Sequence, residues 1–242
     1  MKRILLITVM IIFVGVLNGQ DTYIGVSLGR AVPLNDFAST TTLLSHGYAL
    51  PGFTIGFDGA WFPVPYAGLG ANIGFGSLYT EGESYQDNFI TYLDNHPDLI
   101  NLNIPTVDEF TYKPSYWNFI NMMVGPELSL PVGDFRASVW VMGGMSVIFI
   151  PNREMFFDDG TDIINSYTKG SDISLIYSYG GSLMYTLRSG TAINLGAAYY
   201  NTTADYDMNV KVDSPMATLN EATPATIDIE YFKVSIGLYY SF

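Results

Sequence analysis

Ile227-Asp-Ile-Glu-Tyr-Phe-Lys-Val-Ser-Ile-Gly-Leu-Tyr-Tyr-Ser-Phe242 repeats with a period of two. Phe232, Val234, Ile236, Leu238, Tyr240 and Phe242 share one parity; Tyr231, Lys233, Ser235, Gly237, Tyr239 and Ser241 share the other. Side chains alternate across a β-strand, so one face of this segment seeks apolar surroundings while the other is small, polar or charged. So apolar a strand would aggregate at a free edge in water, which calls for a partner on each side. A closed barrel provides both, and lipid around the barrel accounts for the apolar face.

The same alternation recurs upstream. Ile24, Val26 and Leu28 alternate with Gly25, Ser27 and Gly29; Arg30 falls on the apolar parity, which predicts either a headgroup position or a bulge. Near 52–62, Phe53, Ile55, Phe57 and Trp61 point outward and Thr54, Gly56, Asp58 and Ala60 inward. The third strand, 66–78, sets Leu69, Ile73 and Phe75 against glycines and Asn72. The fourth, 115–130, directs Ile120, Met122, Val124 and Leu128 outward and Asn121, Gly125 and Glu127 inward, with a bulge expected at Pro126. Strands at 135–150, 171–187 and 191–203 follow the rule, with Arg136, Ser138, Ser178 and Ser182 inside. Short turns link strands two and three, four and five, and six and seven. Long links read as loops at 33–46, 79–113, 151–170 and 204–226. The expected fold is all-β: an eight-stranded antiparallel transmembrane up-and-down β-barrel with its long loops at one end. A soluble barrel would need the opposite polarity, apolar inside and polar outside.

Composition agrees. Charged residues make up 14 % of the 242 residues, aromatics 15 %, and there are 24 glycines. Soluble domains hold about a quarter charged residues. Met1-Lys2-Arg3, the apolar run Ile4 to Leu17 and Asn18-Gly19 have the layout of a secretory signal peptide, so residues 1–19 are assigned to it and 20–242 to the barrel. Without Cys, no disulfide framework exists. A net charge of −13 excludes nucleic acid as a partner, since phosphate binding needs a basic patch.

Ser235-Ile-Gly237-Leu-Tyr-Tyr240-Ser-Phe242 resembles the C-terminal assembly signal of bacterial outer-membrane proteins: a polar residue, a glycine, an apolar or aromatic residue and a terminal aromatic at fixed spacing. The resemblance implies recognition of Ser235, Gly237, Tyr240 and Phe242 by the barrel-assembly machinery. Gly29-Arg30-Ala31-Val32-Pro33-Leu34-Asn35-Asp36-Phe37 and Gly125-Pro126-Glu127-Leu128 look like segments of the small outer-membrane barrels of Bacteroidetes-type genomes. Those are similar in architecture to OmpA-, OmpX- and OmpW-type barrels and include secretion accessories of the PorT type. A monomer in the outer membrane, among its lipids, is expected.

No catalytic constellation emerges. His46 and His96 lie in loops, not beside a Ser and a carboxylate on one strand face, so a non-enzymatic protein without cofactor or metal is expected. Asp58, Glu127, Arg136 and Lys233 share the inward parity, and charges in a narrow lumen call for pairing, so they predict an internal polar network. It acts either as a plug or as a conduit. Asp158, Asp159 and Asp162 form an acidic cluster that departs from the EF-hand spacing and reads as a solvated surface. The expected role is structural or surface-binding, carried by long acidic loops holding an extracellular ligand. The alternatives are a narrow channel or lateral route for small solutes, and a secretion accessory.

Overall fold

The computed structural model of the chain describes residues 22–43, 45–96, 109–113, 115–158, 163–187, 190–215 and 218–242. The expected signal segment, 1–19, lies outside them. Ten strands form: β1 (Tyr23–Pro33), β2 (Gly52–Val64), β3 (Ala67–Tyr79), β4 (Thr111–Lys113), β5 (Tyr116–Val132), β6 (Phe135–Ile150), β7 (Glu154–Asp158), β8 (Ile163–Thr186), β9 (Thr191–Asp213) and β10 (Thr218–Ser241). Two helices join them, α1 (Asn35–Ala38) and α2 (Glu83–Asp94).

Eight strands close a ring in the order β1-β2-β3-β5-β6-β8-β9-β10, and β10 returns to β1 through antiparallel pairing from Tyr23↔Ser241 to Pro33↔Tyr231. The path of Cα partners from Tyr23 runs through Ala60, Gly70, Gly125, Met142, Ser178, Tyr200 and Tyr231. It comes back to β1 at Pro33, ten residues further along the strand. A stagger of that size over eight strands tilts them by roughly 40° to the barrel axis and leaves a lumen that side chains fill.

The polarity is inverted, as expected. Val26, Phe57, Val141, Leu175 and Leu238 stand exposed on the outside, Leu175 at 83 %, while Ser27, Asn121, Glu127, Ser146 and Ser178 are buried in the lumen. Aromatic girdles mark both interfaces. Phe135–Tyr185 and Tyr240–Phe242 pair at the short-turn end, with centroids 4.8 and 6.1 Å apart; Phe53–Phe75 and Tyr79–Tyr116 pair at the other. A bilayer solvates this surface and water does not.

Several expectations need correction. Of the two alternatives for Arg30 the bulge falls away, because the register from β1 to β10 is unbroken through Arg30↔Val234; its side chain stays outside, which leaves the headgroup alternative. Pro126 faces outward, and the β5–β6 register is the same on either side of it, so the strand absorbs the proline without a bulge. The stretch 33–46 contains α1, 79–113 contains α2 and β4, and 151–170 contains β7 and the first residues of β8. The expected loop 204–226 is mostly strand: β9 runs to Asp213 and β10 starts at Thr218.

Strands of 23 or 24 residues exceed the nine to eleven or so needed to cross a membrane, so β8, β9 and β10 project well beyond it. The polarity reverses where they leave. On β9 the inward parity changes from Asn194 and Gly196 to Ala204, Tyr206, Met208, Val210 and Val212, all buried. The outward parity changes from Ile193 and Leu195 to the exposed Asp205, Asp207, Lys211 and Asp213. On β10 Ile227 and Ile229 are buried while Asp228 is exposed. Above the membrane the sheet is an ordinary soluble one, widened by β7 and β4 on the flank of β8.

That projection leaves β10 with a free edge. Glu230 C=O accepts from Leu34 N–H, so even-numbered residues of β10 aim their backbone groups at the β1 side. Beyond Glu230 no described strand covers that side, and Pro224 has the same parity. The edge therefore lacks an N–H where an added strand would need one, a common defence against strand addition.

The outward belt carries a direct test. Val141→Arg, in the middle of β6, should lower the folding free energy in lipid vesicles by about 2–4 kcal/mol, measured by denaturant titration. Ser178→Ala, in the lumen, should leave it within about 1 kcal/mol.

Candidate functional site

The lumen is filled in storeys. At the outer mouth, Trp117 meets Phe37 edge-on, with centroids 5.4 Å apart. Below it Phe119, Tyr231 and Tyr200 stack, the last two 4.7 Å apart and nearly parallel. A Cβ on Gly76 would collide with the Phe119 ring, so only glycine lets that ring lie flat across the barrel. Asn121 donates to Tyr231 Oη at 2.8 Å and accepts from Ser146 Oγ at 2.7 Å.

The four inward charges lie deeper. Asp58 accepts from Ser27 Oγ at 2.7 Å, from Tyr239 Oη at 2.8 Å and from the Asn72 amide. Lys233 is buried across the same wall: a Cβ on Gly56 would lie 3.3 Å from both Lys233 Nζ and Asp58 Oδ2. Glu127, 1 % exposed, accepts from Tyr23 Oη at 2.8 and 3.0 Å. Arg136 is at the short-turn end, its guanidinium 5.5 Å from the Phe62 ring centre. Asp58, Glu127 and Lys233 border one cavity of about 40 Å³, and Arg136 is not among its lining residues. That volume suits a few waters. Around the exit, Tyr240 and Phe242 are exposed to lipid and Ser235 and Gly237 face the lumen, and Phe242 N–H donates to Thr22 C=O at 2.9 Å.

A cap covers the mouth. Helix α2 lays Tyr85, Phe89 and Leu93 on the projecting sheet, against Met155, Ile164, Met208, Val210 and Val212. The 12-residue helix places these side chains at i, i+4 and i+8, one stripe of a helix surface. Its other face shows Glu83, Asp87 and Asp94 to solvent. Asn88 Nδ2 ties the helix to Thr40 C=O at 2.6 Å and Tyr48 Oη at 2.7 Å. His96 pairs with Glu221 at 3.1 Å, and His46 Nδ1 accepts from Thr42 N–H at 2.8 Å; both brace the cap. Asp159 and Asp162 lie outside the described residues.

At the base of the cap sits Arg153, which sequence reasoning passed over as part of a loop. It is 1 % exposed, with its guanidinium carbon 5.3, 5.1 and 5.5 Å from the ring centres of Tyr48, Tyr85 and Trp117. Arg153 Nη2 and Trp117 Nε1 both donate to Gly47 C=O, at 2.7 and 2.9 Å. Tyr48 holds a left-handed backbone, φ 52°, uncommon for a bulky residue, and that bend lets one short segment offer both the carbonyl and a ring. Arg153 N–H also donates to Thr168 Oγ1 at 3.2 Å. Three of the four long connections thus meet at one cation. Burial pushes the Tyr85, Tyr112 and Tyr206 phenols above their usual 10.0, with Arg153 pulling the other way, so all three remain neutral hydroxyls.

No family model and no curated protein matches the chain. Solved structures do. OprG, an outer membrane protein from Pseudomonas aeruginosa, superposes with a TM-score of 0.52 at 10 % identity, over 93 % of this chain and 96 % of its own. The fold is that of a small outer-membrane β-barrel. A major outer membrane protein from Thermus thermophilus gives 0.49 at 10 % identity, covering 91 % of this chain and 99 % of its own. Neisserial surface protein A gives 0.42 at 10 %, covering 91 % and 97 %. At these identities the likeness concerns the fold. An apolar belt on an outer-membrane barrel fold places the chain in the outer membrane.

The cap phenols set a pH dependence. Their folded pKa lies above the unfolded value, so the stability they confer is complete below pH 10 and falls as pH rises beyond it. Ultraviolet titration of the folded barrel in detergent should show these phenols ionising late and together with a change in Trp117 emission.

Proposed function

We propose that this barrel is a surface-binding protein whose working part is the cap, with the transmembrane ring as its mount. The observation that carries the reading is the reversal of polarity along β9 and β10: half of each strand builds a folded, acid-faced structure outside the membrane. A barrel serving only as a membrane staple gains nothing from such a projection. Residues on a rigid scaffold above a membrane are well placed for recognition. The exposed carboxylates of Glu83, Asp87 and Asp94 on α2, with Asp205, Asp207 and Asp213 on β9, favour a partner bearing positive charge, a protein before a phosphorylated glycan.

In this reading the lumen set Asp58, Glu127, Arg136 and Lys233 is a plug that rigidifies the mount. The stacked storeys and a cavity of about 40 Å³ support it over a conduit. Planar-bilayer recording tests the plug: no discrete ion steps are expected, and steps abolished by Glu127→Ala would overturn it. Cross-linking on intact cells tests the binding role. Neutralising α2 with Glu83→Gln, Asp87→Asn and Asp94→Asn should lower partner capture at least tenfold while heat-modifiable gel mobility stays normal. Equal capture by both proteins would refute the assignment of binding to α2.

A further inference from the structure

Arg153 is buried without a carboxylate partner among the described residues. Its Nη2 reaches Gly47 C=O, but Nε and Nη1 have no hydrogen-bond partner. The hydroxyls of Tyr85, Tyr112, Tyr206 and Ser166 are also buried, and none makes a well-formed hydrogen bond. These groups are neighbours. The Tyr85 ring is 5.1 Å from the guanidinium carbon and 6.1 Å from the Tyr112 ring, Tyr206 Oη faces Arg153, and Ser166 Oγ faces Tyr85 Oη. Folded interiors leave few polar atoms unmet, and two bare guanidinium N–H groups ringed by hydroxyls without well-formed hydrogen bonds need a common explanation.

Charge narrows the choice. A guanidinium keeps its proton at any ordinary pH, and burying one without compensation is strongly unfavourable. The ring faces attract the cation but offer no oxygen to its N–H groups. Phenols held neutral by burial cannot serve as counter-ions. What remains is one buried positive charge without a counter-ion and two guanidinium N–H groups without an acceptor, whose complement is an anion able to accept several hydrogen bonds. Rings of Tyr48, Tyr85 and Trp117 crowd the spot, which restricts size, and a doubly charged oxyanion would exceed the single charge present.

We propose that the cap base binds one small monovalent anion, a halide or a short carboxylate, on the Nε–Nη1 edge of Arg153, with the Tyr85, Tyr206 and Ser166 hydroxyls completing its shell. The anion joins strands β8 and β9 to α2 through the residue that already gathers three long connections, so its occupancy sets how firmly the cap is closed. The site is independent of whatever the outer face of the cap binds.

The experiment uses the full folded barrel in detergent, in a buffer free of halide and carboxylate. Chloride and formate are titrated in separate arms while the rate of proteolytic nicking in the cap is followed. The rate should fall saturably in at least one arm, and the arm with the lower half-saturation identifies the anion. Tyr85→Phe should raise that concentration about tenfold, the worth of one hydrogen bond to a charged group. Arg153→Met should abolish the dependence. Crystals grown in bromide should show an anomalous peak against Arg153 Nε, which keeps the proposal testable if Arg153→Met does not fold. Water alone at that position, or equal nicking rates in wild type and Tyr85→Phe at every concentration, would overturn it.

Discussion

Hydrocarbon cannot hydrogen-bond a peptide group, and the architecture follows from that constraint. Each backbone N–H and C=O inside the bilayer must find its partner in the chain, so a sheet is admissible only if it closes. Closure fixes the pairing of β1 with β10, and the ten-residue stagger fixes the tilt and the bore. The bore in turn dictates the lumen residues. Where a ring lies across the barrel, as Phe119 does, the facing wall must be glycine; where a carboxylate is enclosed, as Glu127 is, a hydroxyl must meet it.

The same chain obeys opposite solvent rules over different lengths. Along β9 the inward parity is polar at Asn194 and apolar at Met208, though the strand never breaks. Nothing in the backbone changes between them; the solvent outside does. Below the switch the sheet puts apolar groups into lipid. Above it the same sheet hides them beneath α2 and offers Asp205 and Asp207 to water.

This switch explains what the sequence revealed and what it hid. Eight ring strands, their facing and their order were readable, because a period of two with the apolar parity outward is a strong pattern over strands such as β5 and β10. Reading for one polarity alone stopped β9 at 203 and started β10 at 227, although Ala204, Tyr206, Met208, Val210 and Val212 keep the period intact on the other parity. The inward placement of Asp58, Glu127, Arg136 and Lys233 was likewise legible from parity, but not which of them share a cavity, since that depends on the stagger. Arg153 was invisible. It belongs to no periodic segment, and its partners come from positions 47, 48, 85, 117 and 168, which only the closed ring brings together.

The cap inherits its geometry from that ring. Connections that leave the barrel on all sides can meet above the mouth only if something satisfies the backbone and charge they bring inward. Gly47 supplies a carbonyl to two donors, Tyr48 bends into a left-handed conformation to allow it, and Arg153 contributes the charge that three rings surround. A neutral side chain there would pack the rings equally well by area but would leave Gly47 C=O with one donor fewer and three connections without a shared centre. The cation is therefore best understood as the point through which the mount and the cap are mechanically one, with the solvent-facing acidic surface free to vary around it.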